Sequence, residues 1–265
     1  MRNAYNPTCK MRIYSARYFY LMLFVLLLTA TWDLVPAQPV KVEVPDWALP
    51  GSATHRQVPP PPGFHRATRT ENIPIGIFTG QSDVGAALVP GSSIYDKKTK
   101  QYTITSAGYN IWYFRDEFRY LWKKMSGDVS LAADIKFPNK EGYSDRKAVL
   151  IIRQSLDDDS KEAMVALHGG GLIHLAWRPK KGQDIEQMQI SQKGALRLGI
   201  EKKGDAFSLY VSVNGEPMKK YGETKEVHFD EPFYVGIGFC SHLPATLDKA
   251  VLSNVVLKNK AGKVK

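Results

Sequence analysis

From about residue 99 onward, apolar and polar positions alternate with a period of two. Thr99–Thr105 (TKQYTIT) alternates, and Val129, Leu131, Ala133, Ile135 and Phe137 alternate with Ser130, Ala132, Asp134 and Lys136. Phe207, Leu209, Val211 and Val213 alternate with Ser208, Tyr210 and Ser212, and Val235, Ile237 and Phe239 with Gly236 and Gly238. Successive side chains of a strand point to opposite faces, so this period predicts strands with one face in a core and one in water. Ala148–Arg153 (AVLIIR) is apolar on both faces until its last residue, as expected of a strand covered on both sides. Leu252–Leu257 closes the series, and Asn214-Gly215 after Val213 is a tight-hairpin signal.

The stretch Trp112–Met125 (WYFRDEFRYLWKKM) fits two periods. Phe114, Phe118, Leu121 and Met125 make a helical stripe, whereas Phe118, Tyr120 and Trp122 make a strand face. Its aromatic content and the turn Ser126-Gly127-Asp128 favour the strand. With roughly nine or ten short strands and no amphipathic helix of three turns, the pattern predicts an all-β fold. The expected architecture is an antiparallel two-sheet jelly-roll sandwich.

The first part of the chain reads differently. Arg2, Lys10, Arg12 and Arg17 precede the apolar run Tyr18–Ala30, and Val35-Pro36-Ala37 offers a small residue at a cleavage point. Residues 1–37 are thus expected to be a secretory signal peptide, with an uncleaved membrane anchor as the alternative. Residues 38–74 hold Pro39, Pro45, Pro50 and Pro59-Pro60-Pro61-Pro62, a composition that predicts an extended spacer. The sandwich is expected over residues 75–265, outside the cytoplasm, secreted or periplasmic.

Charge and cysteine content narrow the picture. The 36 Lys+Arg against 26 Asp+Glu give a formal charge of +10, and four of the basic residues lie in the leader. The excess is dispersed, and no nucleic-acid-binding module is present. Cys9 falls in the leader, so an exported domain keeps only Cys240 and must be stable through its core.

His168-Gly169-Gly170-Gly171 matches the loop that builds the oxyanion hole of some esterases. The Gly-x-Ser-x-Gly elbow that must accompany it is absent; Gly80-Gln81-Ser82-Asp83-Val84-Gly85 has one residue too many. Apolar runs on both sides make the glycines a hairpin turn with positive φ. Glycosidases need two carboxylates flanking the bond. Asp116 and Glu117 are adjacent, and on a strand they face opposite ways. Asp157-Asp158-Asp159 reads as a solvated loop whose hard oxygens would suit Ca²⁺, although EF-hand spacing is missing; no other cofactor is expected. His168 and His174 flank the glycine turn and would approach across a hairpin, but two ligands do not make a zinc site. Rings with a polar edge suit sugar stacking, with amides and charged groups fixing hydroxyls. The candidate ligand-binding set is Asn110, Trp112, Asp116, Arg153, His174, Trp177, Arg178 and His242.

Three stretches carry a family resemblance: residues 108–137 (GYNIWYFRDEFRYLWKKMSGDVSLAADIKF), residues 145–179 (DRKAVLIIRQSLDDDSKEAMVALHGGGLIHLAWRP) and residues 231–257 (EPFYVGIGFCSHLPATLDKAVLSNVVL). Together they resemble the concanavalin A-like lectin/glucanase superfamily over about residues 75–260. More narrowly they resemble secreted bacterial domains found alone or joined to TolB-type propellers and labelled Tol biopolymer-transport proteins. The stretch VPPPPGFHRATRT at residues 58–70 also looks like the leader of the stand-alone members. The resemblance implies a sandwich with a concave carbohydrate-binding face and no catalytic residue. The function expected is binding of a glycan or other envelope polymer. The alternatives are a glycan-cleaving enzyme whose carboxylates the fold assembles, and a module that contacts envelope proteins.

Overall fold

The computed structural model describes residues 59–60, 63–192 and 194–264, without the side chains of residues 195 and 196. The expected signal peptide, and the spacer up to residue 58, lie outside the described residues. Among the described residues there are strands and no α-helix, and no helix is long and apolar enough to cross a membrane.

Two eight-stranded antiparallel sheets form a sandwich of the concanavalin-like, jelly-roll kind. In the first sheet the order is β1 (Arg69–Glu71), β2 (Gly80–Val84), β7 (Phe118–Met125), β16 (Phe233–Cys240), β9 (Lys147–Arg153), β10 (Glu162–His168), β11 (Ile173–Arg178) and β12 (Glu186–Ile190). The second runs β15 (Lys219–Glu226), β14 (Ala206–Val213), β13 (Ala195–Lys203), β8 (Val129–Lys136), β17 (Asp248–Asn259), β4 (Gln101–Ser106) and β3 (Ser92–Asp96), with β18 (Gly262–Lys263) folded back on β17. A separate hairpin pairs β5 (Ile111–Trp112) with β6 (Arg115–Asp116).

The alternating residues meet between the sheets. Leu121, Leu150, Ile152, Val165, Leu175 and Ile237 from the first pack on Ile104, Leu131, Ile135, Ile200, Leu209 and Leu252 from the second. Each such burial contributes roughly 1.5–3 kcal/mol, so a core of this extent needs no disulfide, and Cys240 is a free, buried thiol. The first sheet is buried on its other face as well. There Val149, Ile151, Met164, Ala166 and Ala176 lie beneath Ile111, Trp112, Leu156 and Ile185. This second cover explains why β9 and β10 are apolar without alternation and buried at every position.

Local details follow the chain chemistry. Asn214 and Gly215 both take positive φ, 54° and 77°, as a tight two-residue hairpin requires. The ambiguous segment is extended, but as two pieces, since Tyr113 at φ 52° turns β5 into β6 before β7 begins. His168–Gly171 is a turn between β10 and β11, for a reason the sequence shows only in part. Gly171 alone of the three glycines has positive φ, 88°. Gly169 is there for close approach: a Cβ on it would lie 2.9 Å from the Tyr143 carbonyl oxygen. The three glycine N–H groups donate to the carbonyls of Arg146 (2.8 Å), Ser144 (2.7 Å) and His168 (3.0 Å). None is left for an oxyanion.

Residues 64–71, assigned to the spacer by composition, run along the sandwich instead. Thr68 donates to the Leu156 carbonyl at 2.6 Å, and β1 extends the first sheet beside β2.

Candidate functional site

Strand register decides which polar residues share a face. On the outer face of the first sheet, Lys147 and Arg153 begin and end β9, Glu162 and His168 do so on β10, and His174 and Arg178 lie on β11. Glu162 stands opposite Arg153 and Arg178, and Lys147 opposite His168. Polar groups therefore gather at the two ends of an apolar strip.

At one end, Arg153, Arg178, Asp116 and Glu162 form an ion cluster with no solvent exposure. Arg178 grips Asp116 with two nitrogens, at 2.7 and 2.8 Å, and Arg153 donates to Asp116 at 2.7 Å. Glu162 accepts from Arg153 and lies 3.5 Å from Arg178. Remaining guanidinium hydrogens reach the carbonyls of Tyr113 (3.1 Å), Asp157 (2.6 Å) and Ser160 (2.8 Å). Two cations thus meet two anions, and the planar guanidinium supplies the donors that such burial requires. Burial pulls the Arg153 guanidinium down from its usual range, with Asp116 as the main opposing influence.

At the other end, Asn110 accepts from Lys147 Nζ at 2.7 Å, and Trp112 stacks on His174 with ring centres 5.5 Å apart. The rings of His168 and His174 do approach across the hairpin, to 5.0 Å. His242 lies between Tyr109 and Tyr143, stacked at 6.1 and 5.3 Å. Burial and the nearby Lys147 charge hold His168 down at about 2 and His174 at about 3, with a Gln187 side-chain hydrogen bond opposing the shift of His174.

In the Asp157–Asp159 loop only Asp157 is exposed as expected. Asp158 and Asp159 are buried. Asp158 accepts from the Arg66 N–H at 3.2 Å and bonds to His65 at 2.9 Å. His65, Asp158 and Asp159 offer three metal-ligand atoms within 4.8 Å of one another. Arg115, however, lies 3.8 Å from Asp158 and 3.6 Å from Asp159 and already supplies positive charge. Next to them, burial pushes the Glu117 carboxyl up to about 7 despite Arg66 at 2.6 Å.

An open concavity lies on the solvent face of the second sheet. Register lines up Val256, Ala132, Gly199 and Tyr210 in a row across β17, β8, β13 and β14. The small residues make the floor, and polar rows flank it: Lys258, Ser130 and Glu201 on one side, Asp134 and Arg197 on the other. The Tyr210 hydroxyl donates to Glu201 at 2.9 Å, and Arg197 donates to Asp134 at 2.7 Å. A bulge in β17 turns Asn254 to φ 48°, from where its amide donates to Asp134 at 2.5 Å. The cavity over the floor measures about 310 Å³ and adjoins one of about 510 Å³ that shares Arg197 and Met218.

The fold has solved counterparts. A functionally unknown protein from Saccharomyces cerevisiae superposes with a TM-score of 0.51 at 14% identity, over 66% of this chain and 95% of that one. A carbohydrate-binding module from Bacillus subtilis gives 0.42 at 14% identity, over 64% and 92%. A xylan β-1,4-xylosidase from Bacillus halodurans C-125 gives 0.45 at 13% identity, over 68% of this chain but only 39% of that one. No protein-family model matches the chain, and no curated protein matches it. At these identities the likeness is one of fold alone.

The eight residues singled out from sequence divide accordingly. Asp116, Arg153 and Arg178 are sealed in the ion cluster, and Asn110, Trp112 and His174 gather around Lys147. His242 sits with the two tyrosines. Trp177 stands apart: it alternates with Ala176 and faces the inter-sheet core, with Lys225 5.7 Å from its ring. Sequence reasoning passed over Lys147, Glu162 and the whole groove. A signal for the first two existed, because Lys147 shares the parity of Arg153, and Glu162 that of His168.

Two outcomes follow. Asp116→Ala leaves two buried guanidinium groups facing one carboxylate and should destabilise by about 3–5 kcal/mol, measured by urea unfolding. Acid should act through the histidines. Below about pH 6.5 the unfolded chain takes up two protons that His168 and His174 refuse when folded, so stability falls as pH falls. Glu117 opposes this by one proton between about 7 and 4.5, because its folded form holds the proton more tightly. Unfolding midpoints at pH 7 and pH 5 should show a net loss, and the double variant His168→Gln, His174→Gln should reverse its sign.

Proposed function

We propose that the domain is a non-catalytic carbohydrate-binding sandwich that lays a glycan across the second sheet, over Ala132 and Gly199. One observation carries this reading. The groove is open to solvent, and it pairs a half-buried aromatic wall, Tyr210, with a small-residue floor and two polar rows. A sugar ring offers an apolar face to the tyrosine and hydroxyls at its edge, and the rows supply both donors and acceptors: Arg197 and Lys258 donate, and Glu201 and Asp134 accept. The outer face of the first sheet supports this by contrast, since its carboxylates are locked by arginines.

The leader and the proline-rich stretch support export, which brings the domain to envelope or extracellular polysaccharide. Membership of a Tol-type assembly rests only on the sequence resemblance. Cleavage is the second reading, favoured by one feature: Asp134 and Glu201 both face the groove. Each carboxylate already has a fixed partner, which favours binding.

The test uses the full chain and a panel of neutral and acidic polysaccharides in affinity electrophoresis, with product analysis for new reducing ends. Binding without release of products is expected. Removing a stacking ring costs about 1.4 kcal/mol, so Tyr210→Ala should weaken binding about tenfold, while Trp112→Ala keeps wild-type affinity. Sugar release by the wild type would overturn the non-catalytic reading. Loss of binding in Trp112→Ala but not in Tyr210→Ala would move the site to the first sheet.

A further inference from the structure

The two polar ends of the first sheet differ in one respect: at the arginine end each cation hydrogen-bonds to a carboxylate, and at the lysine end none does. Lys147 is 2% exposed, and its ammonium group makes a single hydrogen bond, to the neutral oxygen of Asn110. Its other close neighbour is the Trp112 ring, 5.1 Å away. Cys240 is its strand partner on β16 and shares its face, but burial pushes that thiol up to about 11, so it brings no negative charge. Burial lowers the pKa of Lys147, and the negative charges that oppose this from a distance are Asp145 and Asp116, the latter already held by the arginines. Asp145 is 41% exposed at the rim, with a carboxylate oxygen 3.8 Å from His168 Nδ1.

A buried cation without an ionised hydrogen-bond partner is costly, and proteins satisfy such groups with a counter-ion. Unpartnered donors surround this one. Asn110 Nδ2 and the ring nitrogens of His168, one of them a donor, are buried without a hydrogen bond, and Gln187 is the polar side chain that reaches His174. His168 stands directly across from Lys147, and His174 lies on the next strand, across from Ala166. Each neutral imidazole has one N–H to give, and Lys147 has two ammonium hydrogens left. The donors therefore outnumber the acceptors, and no carboxylate hydrogen-bonds to the ammonium group. A metal cation is disfavoured by the ammonium group. We propose that Lys147, Asn110, His168 and His174 form a buried receptor for a single carboxylate group, supplied by a small organic acid or by a sugar acid. One negative charge matches the one ammonium, and two carboxylate oxygens suit donors arriving from β9, β10 and β11 and from Asn110, just before the covering hairpin. Trp112, half-buried and stacked on His174, closes the site. This assignment is independent of the groove on the second sheet.

The test is thermal unfolding and calorimetric titration of the full chain at constant ionic strength and pH 7, with acetate, glucuronate and inorganic phosphate as probes. A rise in Tm with saturable binding of acetate or glucuronate supports the receptor. A response to acetate identifies a small-acid site, and a response to glucuronate alone identifies a sugar acid. Asn110→Asp places a carboxylate beside Lys147, so it should raise Tm without any ligand and abolish the carboxylate response. Lys147→Met should also abolish the response, and Tyr210→Ala should leave it unchanged. No response to either carboxylate, a response to phosphate alone, or an Asn110→Asp variant that still responds would overturn the assignment.

Discussion

Asp116 held by Arg153 and Arg178 is the contact on which the arrangement of the first sheet depends. A carboxylate from a short hairpin enters an apolar strip and meets two guanidinium groups presented by strands β9 and β11, with Glu162 from β10 completing the charge balance. Removing any one member leaves a charge stranded at low dielectric, so the four stand or fall together. Their leftover donors hold the backbone of Tyr113, Asp157 and Ser160. The hairpin and the loop after β9 are therefore fastened to the sheet by the same ions.

That fastening determines where chemistry with other molecules can occur. The hairpin, the Asp157–Asp159 loop and residues 64–68 cover a sheet face that would otherwise be open, and Trp112 and Ile111 pack on its apolar centre. What lies beneath them at the lysine end is a buried polar cluster of Lys147, Asn110, His168 and His174. The second sheet carries no such hairpin between β17 and β14, and Ala132, Tyr210 and Val256 keep partial access to water, with Met218 lying over Gly199. One sandwich thus holds an open groove on one sheet and a buried, lysine-centred polar cluster on the other.

Much of the fold was legible in the chain. The period of two placed the strands, Asn214-Gly215 announced its hairpin, and the missing elbow disqualified the glycine turn as an oxyanion hole. The same period also separates Trp177 from His174 and Arg178. What local sequence could not supply was the register between distant strands. Arg197 and Asp134 lie 63 positions apart, and Arg153 and Asp116 lie 37 apart. Nothing local marks such pairs as partners. The three aspartates read as solvated because acidic runs usually are. Here His65 and Arg66, more than ninety positions away, cover Asp158, and Arg115 lies against Asp158 and Asp159. The groove is visible only when Ala132 and Gly199 are known to be neighbours.

The central claim is that the open second sheet, and not the sealed face of the first, receives the glycan. Chemical-shift mapping by NMR during titration of the full chain with a neutral polysaccharide that it binds tests it most directly. The account predicts the largest shifts at Ala132, Asp134, Arg197, Gly199 and Tyr210, with residues 110–117 and 174–178 unmoved. Shifts concentrated at Asn110, Trp112 and His174, with the row through Gly199 silent, would contradict it.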